Sequence, residues 1–155
     1  MANSKKFLTD RGYEIAEQDK KLSPSMEDYL EMIYRLSRPE GYTRAKKIAD
    51  NLNVSAASVT KMIKKLSEKN YLHYEKYGVI RLTSKGYKVG EYLLKRHNFL
   101  EEFLTTLGAK GNLQKQVERI EHHISYDSFQ ILACFLKFLQ QNPHIISEFH
   151  KYKNQ

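Results

Sequence analysis

Four groups of residues in this chain have types and spacings that could do chemistry. The densest is Glu118-Arg119-Ile120-Glu121-His122. On a helix, positions i, i+3 and i+4 share one face about 100° wide. Two carboxylates, Glu118 and Glu121, and the His122 imidazole would converge there on one patch able to hold a divalent cation, with His123 on the other side. A solvated helix face shows the same triple. Asp28 and Glu31 form a second group, about 60° apart on a helix and opposite its apolar stripe, so that they point away from the core below. His97 stands at the edge of another stripe with Glu101 one turn later, which suits a metal ligand or a half-buried histidine with a carboxylate partner. The fourth group is basic: Lys61, Lys64 and Lys65, with Thr60 among them, preceded by Arg44, Lys46 and Lys47.

These groups need elements to position them. Ser23-Pro24-Ser25 reads as a helix start, with Ser25 as the cap and Asp28 three residues on. Met26, Tyr29, Leu30, Ile33, Tyr34 and Leu36 then recur at helical spacing until Pro39-Glu40-Gly41. Thr43 is placed to cap a short second helix with Ala45, Ile48, Ala49 and Leu52 inside. After the tight link Asn53-Val54-Ser55, Ser55 can cap a third helix that buries Val59, Met62, Ile63 and Leu66 and projects Lys61, Lys64, Lys65 and Glu68 outward. Two helices joined by so short a turn, the second one basic, make a helix-turn-helix. Strand-like runs follow, Tyr71 to Tyr74 and Val79 to Leu82, around a Lys76-Tyr77-Gly78 tip. A hairpin directly after a recognition helix is a wing.

From Ser84 the pattern is helical again. A long helix is expected to about Leu107, carrying Val89, Tyr92, Leu93, Leu100, Phe103, Leu104 and Leu107, with Gly108 as its stop. A second is expected over about 112–124, burying Leu113, Val117, Ile120 and Ile124. A third, over about 127–141, is apolar on most of its circumference, and a helix of that kind must be covered on more than one side. In so small a domain the expected cover is a partner subunit. A short helix with Ile145, Ile146 and Phe149 follows Asn142-Pro143. The fold class is therefore mainly α: an N-terminal arm over 1–22 with one short helix around Phe7, Leu8, Tyr13 and Ile15, a winged helix-turn-helix domain over 23–83, and an all-helical dimerisation domain over 84–155.

Charge sharpens the reading. The 155 residues include 26 Lys+Arg against 18 Asp+Glu, a formal net charge of +8, and residues 43–76 alone hold eight basic and three acidic groups. A local excess of that kind fits a polyanion. The small residues Ser55, Ala57 and Ser58 open the recognition helix and leave room against base edges in a major groove. The expected contact set is Arg44, Lys46, Ser55, Ala57, Ser58, Thr60, Lys61, Lys64 and Lys65, with Lys76 and Tyr77 at the wing tip. Double-stranded DNA is preferred over RNA because a helix enters B-form grooves but not A-form ones. The single cysteine, Cys134, excludes an intramolecular disulfide and a Cys-rich zinc module. A charged N-terminus without an apolar stretch excludes a signal peptide, and a cytoplasmic protein with no membrane partner is expected.

One resemblance ties the groups together. Ser23-Pro24-Ser25-Met26-Glu27-Asp28-Tyr29-Leu30-Glu31, Ser58-Val59-Thr60-Lys61-Met62, Leu72-His73-Tyr74-Glu75-Lys76-Tyr77, Leu82-Thr83-Ser84-Lys85-Gly86, Arg96-His97 and Ile120-Glu121-His122-His123 occur in that order. They resemble the diphtheria toxin repressor family of metal-dependent regulators, in its short branch of manganese transport repressors. The resemblance covers residues 22–141. It implies a two-metal site between the domains, with ligands at Asp28, Glu31, His97, Glu118, Glu121 and His122. The iron-responsive branch carries a Met at the position of Asp28 and a Cys at that of Glu118. Four carboxylates and two imidazoles make a harder set, which suits Mn²⁺, two ions per subunit, with other divalent cations able to bind in vitro.

The implied function is a manganese-responsive repressor of metal-uptake genes, a homodimer on a palindromic operator, with no small-molecule substrate and no catalytic residues. Two other readings remain open on the residues alone: a metal-independent winged-helix regulator answering to an organic effector, and a dinuclear metalloenzyme. Departures from the family pattern are the arm ahead of Leu22, Ser55-Ala56-Ala57 where manganese-type relatives commonly carry His-Pro-Ser, and the wing tip Tyr77-Gly78-Val79-Ile80-Arg81.

Overall fold

The computed structural model describes residues 22–155. The expected N-terminal arm and its short helix therefore lie outside the described residues, apart from Leu22. The chain divides into two compact units after Leu94.

In the first unit, helix α1 spans Pro24–Ser37 and buries Met26, Tyr29, Leu30, Ile33 and Tyr34. Its cap is Ser23, whose side chain accepts from the Met26 N–H, and not Ser25. The reason is Pro24, which lacks an N–H and has its φ already set for the first helical position. Strand β1, Thr43–Arg44, precedes helix α2, Ala45–Leu52. Thr43 was expected to cap that helix; instead it is buried in β1, paired with Ile80, and the cap position falls on Arg44 without a side-chain bond. A β-branched residue beside a strand edge finds a backbone ladder there and gives up the cap.

Asn53 closes α2 in the left-handed conformation, φ 53°, which an Asn tolerates. Helix α3, Ala56–Glu68, then starts from Ser55, whose hydroxyl accepts from the Ser58 N–H at 3.1 Å. Val59, Ile63 and Leu66 are buried beneath it. Strands β2, Leu72–Tyr74, and β3, Val79–Leu82, form the hairpin, and the sheet order is β1-β3-β2, antiparallel throughout. The wing thus carries a third strand contributed from ahead of the helix-turn-helix.

Helix α4, Ser84–Thr106, begins in this unit. Thr83 sets its first turn: the hydroxyl donates to the Asn70 carbonyl at 2.7 Å and accepts from the Gly86 N–H at 3.0 Å. Two glycines one turn apart allow close approach. A Cβ on Gly86 would lie 1.8 Å from the Tyr71 carbonyl oxygen, and one on Gly90 would lie 2.6 Å from Tyr34 Cβ. Burial, first, and a hydrogen bond with Tyr87 push the Tyr34 hydroxyl up to about 12, so it stays protonated.

The second unit holds the rest of α4, helix α5, Leu113–Ile120, helix α6, Tyr126–Gln141, and helix α7, Pro143–Lys153. Gly108, φ 73°, follows the end of α4 as expected. The helix expected to about residue 124 ends at Ile120, and Glu121–His123 form a single 3-10 turn. Ile120 is exposed, against expectation, while Val117 is buried. Phe99 packs edge-on against Phe129, 5.2 Å between ring centres, and Leu136 and Leu139 complete the buried side of α6. Ile131, Phe135 and Phe138 on α6 stand exposed, Ile131 at 71%. Cationic α7 closes the end of α4: Lys153 Nζ donates to the carbonyls of Leu107 and Gly108, at 2.9 and 2.7 Å. A positive group there meets the negative end of the helix dipole. No described helix is long and apolar enough to cross a membrane.

Gly86→Ala is expected to destabilise the protein by about 2 kcal/mol or more, since the clash is with backbone that has no rotamer to change. A urea unfolding midpoint no lower than that of the unaltered protein would contradict this packing.

Candidate metal ligands and nucleic-acid face

The exposed side of α3 carries the residues expected to meet DNA. Ser55, Ala57, Ser58, Thr60, Lys61, Lys64 and Lys65 are all exposed, as is Lys46 on α2. The Thr60 hydroxyl donates to the Ala56 carbonyl at 3.0 Å, which turns its lone pairs outward. The first turn of α3 also presents backbone N–H groups, a natural anchor for a phosphate. A groove of about 450 Å³ runs between this helix and the wing strand, lined by Thr60, Ile63, Lys64, Ser67, Glu68 and Tyr74.

At the wing tip, Lys76–Gly78 form a 3-10 turn in which Tyr77 takes a left-handed conformation, φ 62°, and stands 91% exposed. Arg44 is already engaged: its Nη1 donates to the Tyr77 carbonyl at 2.6 Å. Sequence reasoning missed the groups that surround it. Arg44 and Arg81 both lie over the Tyr42 ring, at 5.9 and 5.3 Å from its centre. Arg81 also pairs with Glu75 at 3.2 Å and reaches the Gly41 carbonyl at 3.4 Å. The signal available in sequence was an Arg on each of two strands beside an aromatic, which only the β1–β3 pairing brings together.

The expected metal ligands fall on both units. On α1, Asp28 is exposed, while Glu31 one turn later is 9% exposed. Arg35, a partner not anticipated, holds the Glu31 carboxylate through its Nε at 2.9 Å and through Nη2. In the second unit, His97 Nδ1 meets Glu121 Oε2 at 2.8 Å, and His122 Nε2 stands 3.9 Å from Glu121 Oε1. Glu121 is 2% exposed. The carboxylate partner of His97 is thus Glu121, and not Glu101, which is exposed. Helical spacing explains the exchange: Glu121 follows the buried Val117 by one turn, its N–H still bonded to the Val117 carbonyl, while Glu118 stays outside, bonded to Gln114 at 2.9 Å. The i, i+3, i+4 face expected for Glu118, Glu121 and His122 is therefore broken. Glu121 and His122 come together with His97, and Glu118 remains exposed on α5.

A buried carboxylate flanked by two imidazoles, one on each oxygen, is a donor set suited to a divalent cation of the borderline-hard kind. With no thiol in it, the set does not favour a thiophilic metal.

A winged helix with an exposed basic recognition helix, followed by a helical unit carrying a histidine–carboxylate cluster, defines a DNA-binding regulator with a metal-responsive domain. Comparison with known proteins agrees. The pattern described as "Iron dependent repressor, N-terminal DNA binding domain" matches residues 21–80, and "Iron dependent repressor, metal binding and dimerisation domain" matches residues 83–150. The chain belongs to the iron-dependent repressor family. It is 42% identical over 134 residues to the HTH-type transcriptional regulator MntR of Lysinibacillus sphaericus, covering 86% of this chain and 96% of that one. It is 45% identical over 122 residues to the regulator of the same name from Listeria welshimeri, covering 78% and 86%.

Among solved structures it is similar to the manganese regulator SloR, with TM-score 0.66 and 32% identity over 76% of this chain and 55% of that one. The metal-dependent transcriptional regulator MtsR gives 0.67 and 31% over the same shares. The chain thus spans just over half the length of these structures. The resemblance read from the motifs is borne out: this is a metal-dependent, DNA-binding transcriptional regulator that forms homodimers, and not an enzyme.

Removing Glu121 should cost more than removing Glu118. Glu121→Ala removes a buried side chain together with its bond to His97 Nδ1, a loss of about 1–3 kcal/mol. Glu118→Ala lies on the surface and should change stability by less than about 0.5 kcal/mol. Urea unfolding of both variants in EDTA measures the difference.

Proposed function

We propose that this chain is a manganese-responsive repressor of metal-uptake genes. It acts as a homodimer on a palindromic operator, with two Mn²⁺ per subunit held by Asp28, Glu31, His97, Glu118, Glu121 and His122. The observation that carries this reading is the Glu121 carboxylate, 2% exposed and facing an imidazole on each oxygen. Support comes also from the names of the relatives, two of which speak of manganese or of metal dependence.

Bound Mn²⁺ would supply positive charge to a ligand set that contains four carboxylates. The protein's own groups do the rest. Arg35 fixes the Glu31 carboxylate in one orientation, and His97 does the same for Glu121, so the donors are positioned in advance. A set drawn from both units lets metal occupancy be felt at the DNA-binding unit, where Lys46, Ser55, Ala57, Ser58, Thr60, Lys61, Lys64, Lys65, Lys76 and Tyr77 form the proposed contact face. In a two-fold dimer two recognition helices would meet half-sites one helical turn or a multiple apart. The exposed Ile131, Phe135 and Phe138 on α6 are the face proposed for the second copy.

The test is fluorescence anisotropy on a duplex selected from a randomised library, in EDTA, Mn²⁺, Zn²⁺ or Fe²⁺. Mn²⁺ should tighten binding at least tenfold over EDTA, and equal binding in the two would end the proposal. Asp28→Ala should abolish the Mn²⁺ effect and keep the weak binding seen in EDTA. Lys61→Ala should weaken binding even in saturating Mn²⁺ and lower the slope of log K against log salt by about one per subunit.

A further inference from the structure

Tyr77 is a bulky residue held with φ 62° and ψ 22°, followed by Gly78 at φ 73°. A side chain with a Cβ seldom adopts that conformation, and it persists only where the surroundings over-determine it. Nothing about burial holds Tyr77, since its side chain is 91% exposed. The hold is on its backbone. Arg44, at the end of β1 and opposite Val79, sends Nη1 to the Tyr77 carbonyl at 2.6 Å. The guanidinium is steadied in turn by the Tyr42 ring, which Arg81 shares, and Arg81 is tied to Glu75 at the foot of the same tip. The Glu75 N–H bonded to the Val79 carbonyl at 2.8 Å closes the loop. Two arginines, one tyrosine and one glutamate therefore fix a four-residue tip whose outermost group is an aromatic ring in solvent.

We propose that Arg44 is a positioning residue for DNA binding. Through the Tyr77 carbonyl it holds the wing in the turn that presents the Tyr77 ring as the wing's contact with the DNA backbone and groove edge. The inference rests on the DNA-binding role of this unit and assigns Arg44 a different task from the lysines of α3. A guanidinium on a strand beside a recognition helix would ordinarily be taken for a phosphate contact, but here its geometry is directed inward to a protein carbonyl.

Salt dependence and variant coupling separate the two roles. A phosphate contact releases counterions, so its loss lowers the salt slope by about one per subunit, whereas a positioning residue leaves the slope unchanged. Anisotropy is measured in saturating Mn²⁺ on the selected duplex. Arg44→Ala should weaken binding about tenfold, the size of one charge-assisted hydrogen bond, at unchanged slope. Arg44→Lys, which keeps the charge but loses the guanidinium that reaches both the Tyr77 carbonyl and the Tyr42 ring, should be nearly as weak.

Tyr77→Gly suits the left-handed backbone and removes only the ring, so it should weaken binding to a similar degree with no loss of thermal stability. In that background Arg44→Ala should add less than about twofold, because the two act as one unit. A slope lowered by one in Arg44→Ala, near-normal binding by Arg44→Lys, or losses that multiply in the double variant would each overturn the positioning role. Unchanged binding by Tyr77→Gly would overturn the contact assigned to the ring. If Arg44→Ala does not fold, Arg44→Lys and Tyr77→Gly carry the same comparison, and the response to Mn²⁺ in both reports whether the regulator itself still works.

Discussion

Burying a carboxylate is the constraint that organises the second unit. Taking a charged group out of water is unfavourable by several kcal/mol unless partners compensate it. Glu121 is nearly inaccessible, and it meets that demand with His97 on one oxygen and His122 near the other. Glu121 lies one turn after the buried Val117 and shares its side of α5. Glu118, three residues earlier, stays outside, and the helix gives way to the 3-10 turn Glu121–His123. Ile120, the residue before it, is left on the surface.

The first unit answers to a different constraint, the close approach of backbones. Gly86 and Gly90 let α4 lie against the Tyr71 carbonyl and the Tyr34 side chain, and Thr83 stitches the start of that helix to Asn70 and Tyr71. The helix-turn-helix is held from behind by apolar packing of Ile48, Val59, Ile63 and Leu66, which leaves the outer face of α3 free of structural duty. That division of labour is what permits a row of lysines there. Charge on the outer face costs the fold little, because the groups remain solvated, and it gains association with a polyanion through counterion release.

Much of this was legible in sequence, and the exceptions have identifiable causes. Helical period, the Ser55 cap, the hairpin and Gly108 depend on neighbours within a turn or two, and each is where the spacing placed it. The recognition-helix lysines followed from the same periodicity. Two of the errors involve partners distant in the chain, whereas the cap read at Ser25 moved to Ser23 because of the neighbouring Pro24. Thr43 looked like a cap because its pairing with Ile80, far along the sequence, was invisible. His97 was matched with Glu101 because that carboxylate lies one turn away, while the real acceptor is Glu121. Arg35 at Glu31 is local, i to i+4, and the spacing could have shown it. Residue types pointed to metal chemistry; which of them touch was a matter of tertiary structure.

Charge links the two units in the proposed mechanism. The segment 43–76 carries eight basic and three acidic groups, and its excess faces outward on α3 and the wing. The proposed ligand set contributes four of the 18 acidic residues of the chain. In that proposal the bulk net charge of +8 combines two opposed populations, one facing DNA and one that a bound cation would neutralise. Selectivity cannot come from affinity alone, since Mn²⁺ lies at the weak end of the divalent series. It must come from donor type and number. With carboxylates at positions 28 and 118 the set has neither thioether nor thiolate, so a soft metal gains nothing from those two positions. In the proposed set, Glu118, exposed on α5, would add a donor to the buried Glu121 and so suit a cation of high coordination number.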